Sequence, residues 1–136
     1  MSRFTYLCPI RWSDMDANSH VNNAIYARFL EEARMNMFED LVPGDPAERL
    51  RKNFLLSEQC MKFSRPLVYS KNPVPIEVWV TSLKGVSFEL AYEIRDSEGL
   101  YLSATSKMAG FDSVAGRVRR FDQDERAILG RYLIEQ

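Results

Sequence analysis

The chain has 136 residues, 46% of them hydrophobic and 27% charged, with a net charge of −1. That length suits one hydrophobic core, so a single domain over residues 1–136 is expected, and the near-neutral balance excludes a generic attraction to nucleic acid. No apolar run approaches the roughly 20 residues needed to cross a bilayer, and M-S-R-F-T-Y at the start has no apolar signal core, so a cytoplasmic protein without a membrane span is expected.

Phe4, Tyr6, Cys8, Ile10 and Trp12 alternate with other residues over positions 4–12, the period of a half-buried strand. A helix is predicted from about Asn22 to Leu41, with Tyr26, Phe29, Leu30, Ala33, Met37 and Leu41 forming one apolar stripe. Such a helix spans ~30 Å at 1.5 Å per residue, so its stripe needs a wide sheet to receive it. Val42-Pro43-Gly44 ends it, and Asp45-Pro46-Ala47-Glu48 reads as a capping box opening a short turn over 46–52. Four strand-like runs follow, at 54–64, 74–83, 87–95 and 100–111. Lys84-Gly85 and Asp96-Ser97-Glu98-Gly99 are hairpin connections, so the last three runs form an antiparallel meander. Asp122-Gln123-Asp124-Glu125 is a second capping box, opening a C-terminal helix through about Leu133. The connections are too short for parallel crossovers, which makes the class α+β: an antiparallel sheet around one long helix, with a short C-terminal helix.

The chemistry concentrates between Arg11 and Arg34. Asp14 and Asp16 precede the only histidine, His20, and an Asn22-Asn23 pair opens the long helix. A carboxylate facing a helix start stands beside unpaired backbone N–H donors, the minimum needed to attack a carbonyl and hold its oxyanion. Aspartate is also favoured at caps and turns, but Ser19 or Asn22 can fill those positions. Two acids within three residues are thereby left without an obvious structural purpose, and Asp14 can instead hydrogen-bond loop N–H groups. His20 either shapes the loop or, at i+4 from Asp16, orients the carboxylate or carries a proton. Tyr26 falls on the apolar stripe one turn into the helix and is expected mostly in the core.

Arg117, Arg119 and Arg120 crowd one segment, and Arg65 and Lys71 flank another loop; each group is either a phosphate contact or a solvated basic face. Cys8 and Cys60 lack C-x-x-C spacing and are expected as small buried residues in a reducing compartment. One histidine does not supply a zinc site, and no metal or other cofactor is expected.

W-S-D-M-D-A-N-S-H-V-N-N-A-I-Y, followed by a helix containing E-E-A-R, resembles the hotdog-fold acyl-CoA thioesterases of the 4-hydroxybenzoyl-CoA thioesterase type. R-P-L-V-Y-S-K-N-P-V-P-I-E-V-W-V is similar to that family's second and third strands, and Ser87-Phe88 to the start of its fourth. The resemblance implies that Asp16 is the catalytic carboxylate, as nucleophile or general base. It also implies that the N–H of Asn23 polarises the thioester carbonyl, and that the substrate is an acyl-CoA. The D-x-x-x-H-V-N-N pattern is closer to a branch of diverse substrates, and the family's basic hairpin cluster is reduced here to Lys84. Asn22, Tyr26 and Lys84 are expected to bind substrate. A homodimer or dimer of dimers is expected, because edge-to-edge pairing would cover the exposed strand and complete the pocket. Two other readings share these residues: an enoyl-CoA hydratase using Asp16 and His20, although G-D-x-N-P-x-H is absent, and a non-catalytic acyl-CoA or acyl-carrier binding module.

Overall fold

The computed structural model describes residues 2–135. Its elements in chain order are β1 (Phe4–Cys8), a 3₁₀ turn (Trp12–Asp14), α1 (Ile25–Met37), α2 (Pro46–Arg51), β2 (Asn53–Phe63), β3 (Val74–Leu83), β4 (Ser87–Asp96), β5 (Gly99–Asp112), β6 (Arg117–Val118) and α3 (Gln123–Gly130). The strands form one antiparallel sheet in the order β1-β3-β4-β5-β2, with β6 paired to the end of β5.

The apolar alternation decides which face is buried. Ile76, Val78 and Val80 of β3, Phe88, Leu90, Tyr92 and Ile94 of β4, and Leu102, Ala104 and Met108 of β5 lie in one core with α1. The stripe from Tyr26 to Met37 supplies the facing surface, and Leu41 continues it beyond the helix end. Ser106 interrupts this apolar face, and its hydroxyl meets the Tyr92 hydroxyl at 2.6 Å, so both buried groups are satisfied. Register shifts at Leu56/Glu58, Val80/Ser82 and Ile94/Arg95 are bulge positions, which bend strands and raise local twist; the sheet curls around α1 as hotdog topology requires.

Four expectations change. The first strand ends at Cys8, and Trp12 turns outward at 75% exposure, because Pro9 interrupts pairing and the chain enters the 3₁₀ turn. The long helix begins at Ile25 and ends at Met37, because Asn22 spends its side chain on the approach and residues 38–41 close as turns. Cys60 is exposed, since it lies on the edge strand β2 opposite Thr105, on the face away from α1. The last helix stops at Gly130, three residues short of Leu133.

Of the two capping boxes read from sequence, the one at Asp122 forms in full, whereas Asp45 caps α2 without a reciprocal bond from Glu48. Asp45 accepts from Ala47 N with Pro46 in the first turn, and Asp122 and Glu125 bond reciprocally across the start of α3. Gly110 allows a close crossing, because a Cβ there would lie 2.8 Å from the Phe121 ring and 2.9 Å from the Arg119 carbonyl oxygen.

Candidate active site at the start of the long helix

The segment between β1 and α1 folds as a small hairpin, with Met15 bridged to Val21. Asp16 N donates to His20 O and Ser19 N donates to Asp16 O, both at 3.0 Å. This tight closure holds Ser19 at φ 62, a left-handed conformation uncommon for a residue with a Cβ. Ser19 therefore turns the loop, and it does not cap the helix.

The two aspartates occupy different environments. Asp14 is 1% exposed and accepts from Arg11 N at 2.8 Å and from Arg11 Nε and Nη2 at 3.3 and 3.0 Å. Its charge is committed to holding the 3₁₀ turn. Asp16 is half-buried, and each carboxylate oxygen has one partner: Asn18 N at 2.9 Å on Oδ1 and Asn22 Nδ2 at 3.2 Å on Oδ2. Asp16 thus closes a turn, a position that Ser19 or Asn22 was expected to fill. With one partner each, both carboxyl oxygens of Asp16 keep acceptor capacity for a water.

Asn22 organises the whole approach. Its N–H reaches Asp14 O, its Nδ2 reaches Asp16, its Oδ1 accepts from Ala24 N at 2.9 Å, and its carbonyl accepts from Ile25 N. Among the described residues, the Asn23 N–H is left without an acceptor while Asn22, Ala24 and Ile25 all have one. An exposed donor at the positive end of a 13-residue helix is suited to a developing oxyanion.

Beside it lies a cavity of about 260 Å³ lined by His20, Val21, Asn23, Tyr26, Phe63, Ser64, Arg65 and Pro66. Tyr26 packs edge-on against Phe63 at 5.1 Å, and its hydroxyl accepts from Leu67 N, tying the 64–67 segment to the helix. Phe63 is 49% exposed at the end of the edge strand, in a run whose mixed pattern gives it no distinct signal. Only the β2–β5 register reveals that this residue ends beside the helix start. Asp16 approaches the cavity through the backbone of His20, but its carboxylate partners are Asn18 and Asn22, not the imidazole.

Lys84 stands elsewhere. β3 runs ten residues from the site end at Val74 to the Lys84 turn, roughly 33 Å at the usual strand rise, so within one chain Lys84 does not reach this cavity. At that far end Arg126 donates to Lys84 O at 2.9 Å, and the Arg120 guanidinium lies against Gly85. Arg119 is not a free cation, since its guanidinium is paired in bidentate fashion with Glu125 at 2.7 and 2.8 Å. Cys8 is no nucleophile: burial, then the nearby Asp14 and Glu32, push its thiol up to about 12.

Comparison with known proteins decides the family. The thioesterase-like superfamily model matches residues 10–129. The chain belongs to that superfamily. Thioester hydrolysis is accordingly its reaction class, and its fold is shared by many solved structures. The PA2801 protein of Pseudomonas aeruginosa, a proposed thioesterase, is 28% identical with a TM-score of 0.81, over 93% of this chain and 98% of its own. The Staphylococcus aureus protein SAV2348, solved in complex with CoA, is 14% identical with a TM-score of 0.86, over 96% and 84%. A 1,4-dihydroxy-2-naphthoyl-CoA thioesterase from Synechocystis is 15% identical with a TM-score of 0.81, over 95% and 96%. No curated protein sequence matches the chain. Among the described residues, no helix of this thioesterase-superfamily protein is long and apolar enough to cross a membrane.

Proposed function

We propose that the protein hydrolyses acyl-CoA thioesters to a carboxylic acid and free CoA. The observation that carries this reading is the unpaired Asn23 N–H at the start of α1, next to a cavity and one loop turn from the Asp16 carboxylate. The thioester carbonyl would lie with its oxygen toward Asn23 N, where the helix dipole favours the charge that develops on attack. Asp16 would act either as nucleophile, giving a mixed anhydride that water then cleaves, or as general base for that water. The thiolate of CoA leaves without assistance from a metal. The acyl group would enter the space bounded by Tyr26 and Phe63. The CoA-bound neighbour and the naphthoyl-CoA thioesterase share this fold and support a CoA thioester as substrate.

A homodimer fits this site. β2 is the sheet edge, Leu55, Leu56 and Phe63 are exposed along it, and Phe63 leaves the cavity open on that side. Antiparallel pairing of β2 with a second copy would close both edge and cavity. It would also reverse the second sheet, so that a contact from Lys84 to the same ligand comes across the subunit boundary.

A panel of aromatic, short, branched and long acyl-CoA thioesters assayed by thiol release tests the activity. Thiol release faster than the buffer rate, saturable in substrate, is the expected result. Loss of enoyl absorbance without thiol release would make the protein a hydratase, and binding without turnover would make it a carrier module.

A further inference from the structure

We propose that Trp12 and Tyr69 form the docking corner for the adenine ring of the CoA substrate, with Arg11 and Lys71 meeting its phosphates. The proposal rests on the acyl-CoA reading and adds a nucleotide subsite to it. Trp12 is 75% exposed and Tyr69 37%, and the two rings meet at 5.5 Å between centroids with planes 80° apart. Such a corner offers a flat heteroaromatic base one ring to stack on and a second ring against its edge. Val68, also exposed, widens the apolar surface beside it.

Charge and position both favour a nucleotide over an apolar partner. Arg11 directly precedes Trp12, and its side chain is 70% exposed even while Nε and Nη2 hold Asp14. Lys71 follows Tyr69 by two residues and is exposed. The acids on these two segments are withdrawn: Asp14 is buried under Arg11, and Asp16 is bonded within its own loop. An aromatic corner bracketed by the exposed Lys71 ammonium and the exposed Arg11 guanidinium, whose Nη1 is not used on Asp14, matches a base carrying phosphates. The corner also flanks the proposed catalytic loop on two connecting segments, the 3₁₀ turn before it and the stretch between β2 and β3. Trp12 precedes Asp16 by four residues, and Tyr69 follows Leu67, whose carbonyl accepts from Val21 N at 2.8 Å. A substrate whose nucleotide rested here could pass its pantetheine arm along the loop to Asn23.

The test compares each acyl-CoA with the N-acetylcysteamine thioester of the same acid, which lacks the nucleotide, on full-length wild type and on Trp12→Ala, Tyr69→Ala and Trp12→Phe. Stacking of one base on one ring implies that Trp12→Ala raises KM for acyl-CoA roughly tenfold more than for the truncated thioester. Trp12→Phe should restore most of that difference. Calorimetry with 3′,5′-adenosine diphosphate gives a readout independent of turnover, and both alanine variants should lose its binding. If no thioester is hydrolysed yet 3′,5′-adenosine diphosphate binds through Trp12, the hydrolase reading fails and the nucleotide corner stands. An equal rise of KM on both substrates, or none on either, overturns the corner. So does a selective acyl-CoA defect in Lys84→Ala with none in Trp12→Ala, which would put the nucleotide at the other end of the sheet. Dissociation of an oligomer by Trp12→Ala in light scattering would mean that a second copy of the chain covers these rings, and would overturn it as well.

Discussion

At the scale of single residues, the proposed mechanism turns on which of two acids reacts. Asp16→Asn keeps the size and most hydrogen bonding of the side chain but removes charge and nucleophilicity. Turnover on the best acyl-CoA should fall at least ~10²-fold, about 2.7 kcal/mol of barrier, with melting temperature and ligand binding kept. Asp14→Asn should behave in the opposite way. It weakens the bonds from Arg11 to a carboxylate that is 1% exposed, and stability should drop by about 1–3 kcal/mol in denaturant unfolding while the chemical step survives. Comparable kcat for Asp16→Asn and wild type would remove Asp16 from the mechanism. His20 is exposed on the cavity rim, and the bonds it makes to Asp16 run through the backbone. If its ring carries a proton, His20→Ala should lower kcat by about 10²–10⁴-fold and remove one limb of the pH–rate profile. A purely backbone contribution would leave both the profile and kcat nearly intact.

At the scale of elements, α3 shows how a local signal acquires a tertiary consequence. The Asp122/Glu125 box starts the helix as its sequence predicts, yet Glu125 is also the bidentate partner of Arg119. Arg119 donates in turn to Asn53 O at the start of β2, so one carboxylate links α3, the segment between β6 and α3, and the sheet edge. Glu125→Ala would leave Arg119 largely buried without its counter-ion, and should cost about 3–5 kcal/mol, seen as a lower unfolding midpoint. Asp124→Ala, exposed in the same first turn, should change stability by well under 1 kcal/mol. A similar effect for both would mean that acidic charge in the first turn, not the Arg119 pair, sets the stability. The start of α1 shows a second local signal used differently. The Asn22-Asn23 pair reads as two helix starters, whereas only Asn22 ties the approach together and Asn23 leaves its N–H free.

At the scale of the whole molecule, the sheet presents a long edge at β2 and a short one at β1, which Pro9 terminates. An eleven-residue edge with exposed Leu55, Leu56 and Phe63 favours pairing with a second copy. Light scattering at micromolar concentration should give a dimer or tetramer mass. Phe63→Lys should weaken that association and lower activity together, because Phe63 belongs to both the edge and the cavity. A monomer with full activity would show that the cavity works without closure.

Much of this protein follows from local pattern alone. Period-2 alternation in β3, β4 and β5, the apolar stripe of α1, and the caps at Asp45 and Asp122 depend on neighbours within a few residues, and each appears where the pattern puts it. The loop carrying Asp14, Asp16, His20 and Asn22-Asn23 stands out in the sequence as the candidate for chemistry, because its residue types are unusual for a simple connection. Tertiary structure decided what depends on distant pairing. The β2–β5 register brings Phe63 beside the helix start, and the run of β3 carries Lys84 to the far end of the sheet. Trp12 faces outward against Tyr69, 57 positions away in the chain, and Arg119 is taken by Glu125. None of these is visible in a window of sequence, since partner choice across a sheet is settled by the global fit of the core and not by the propensities of the residues that meet.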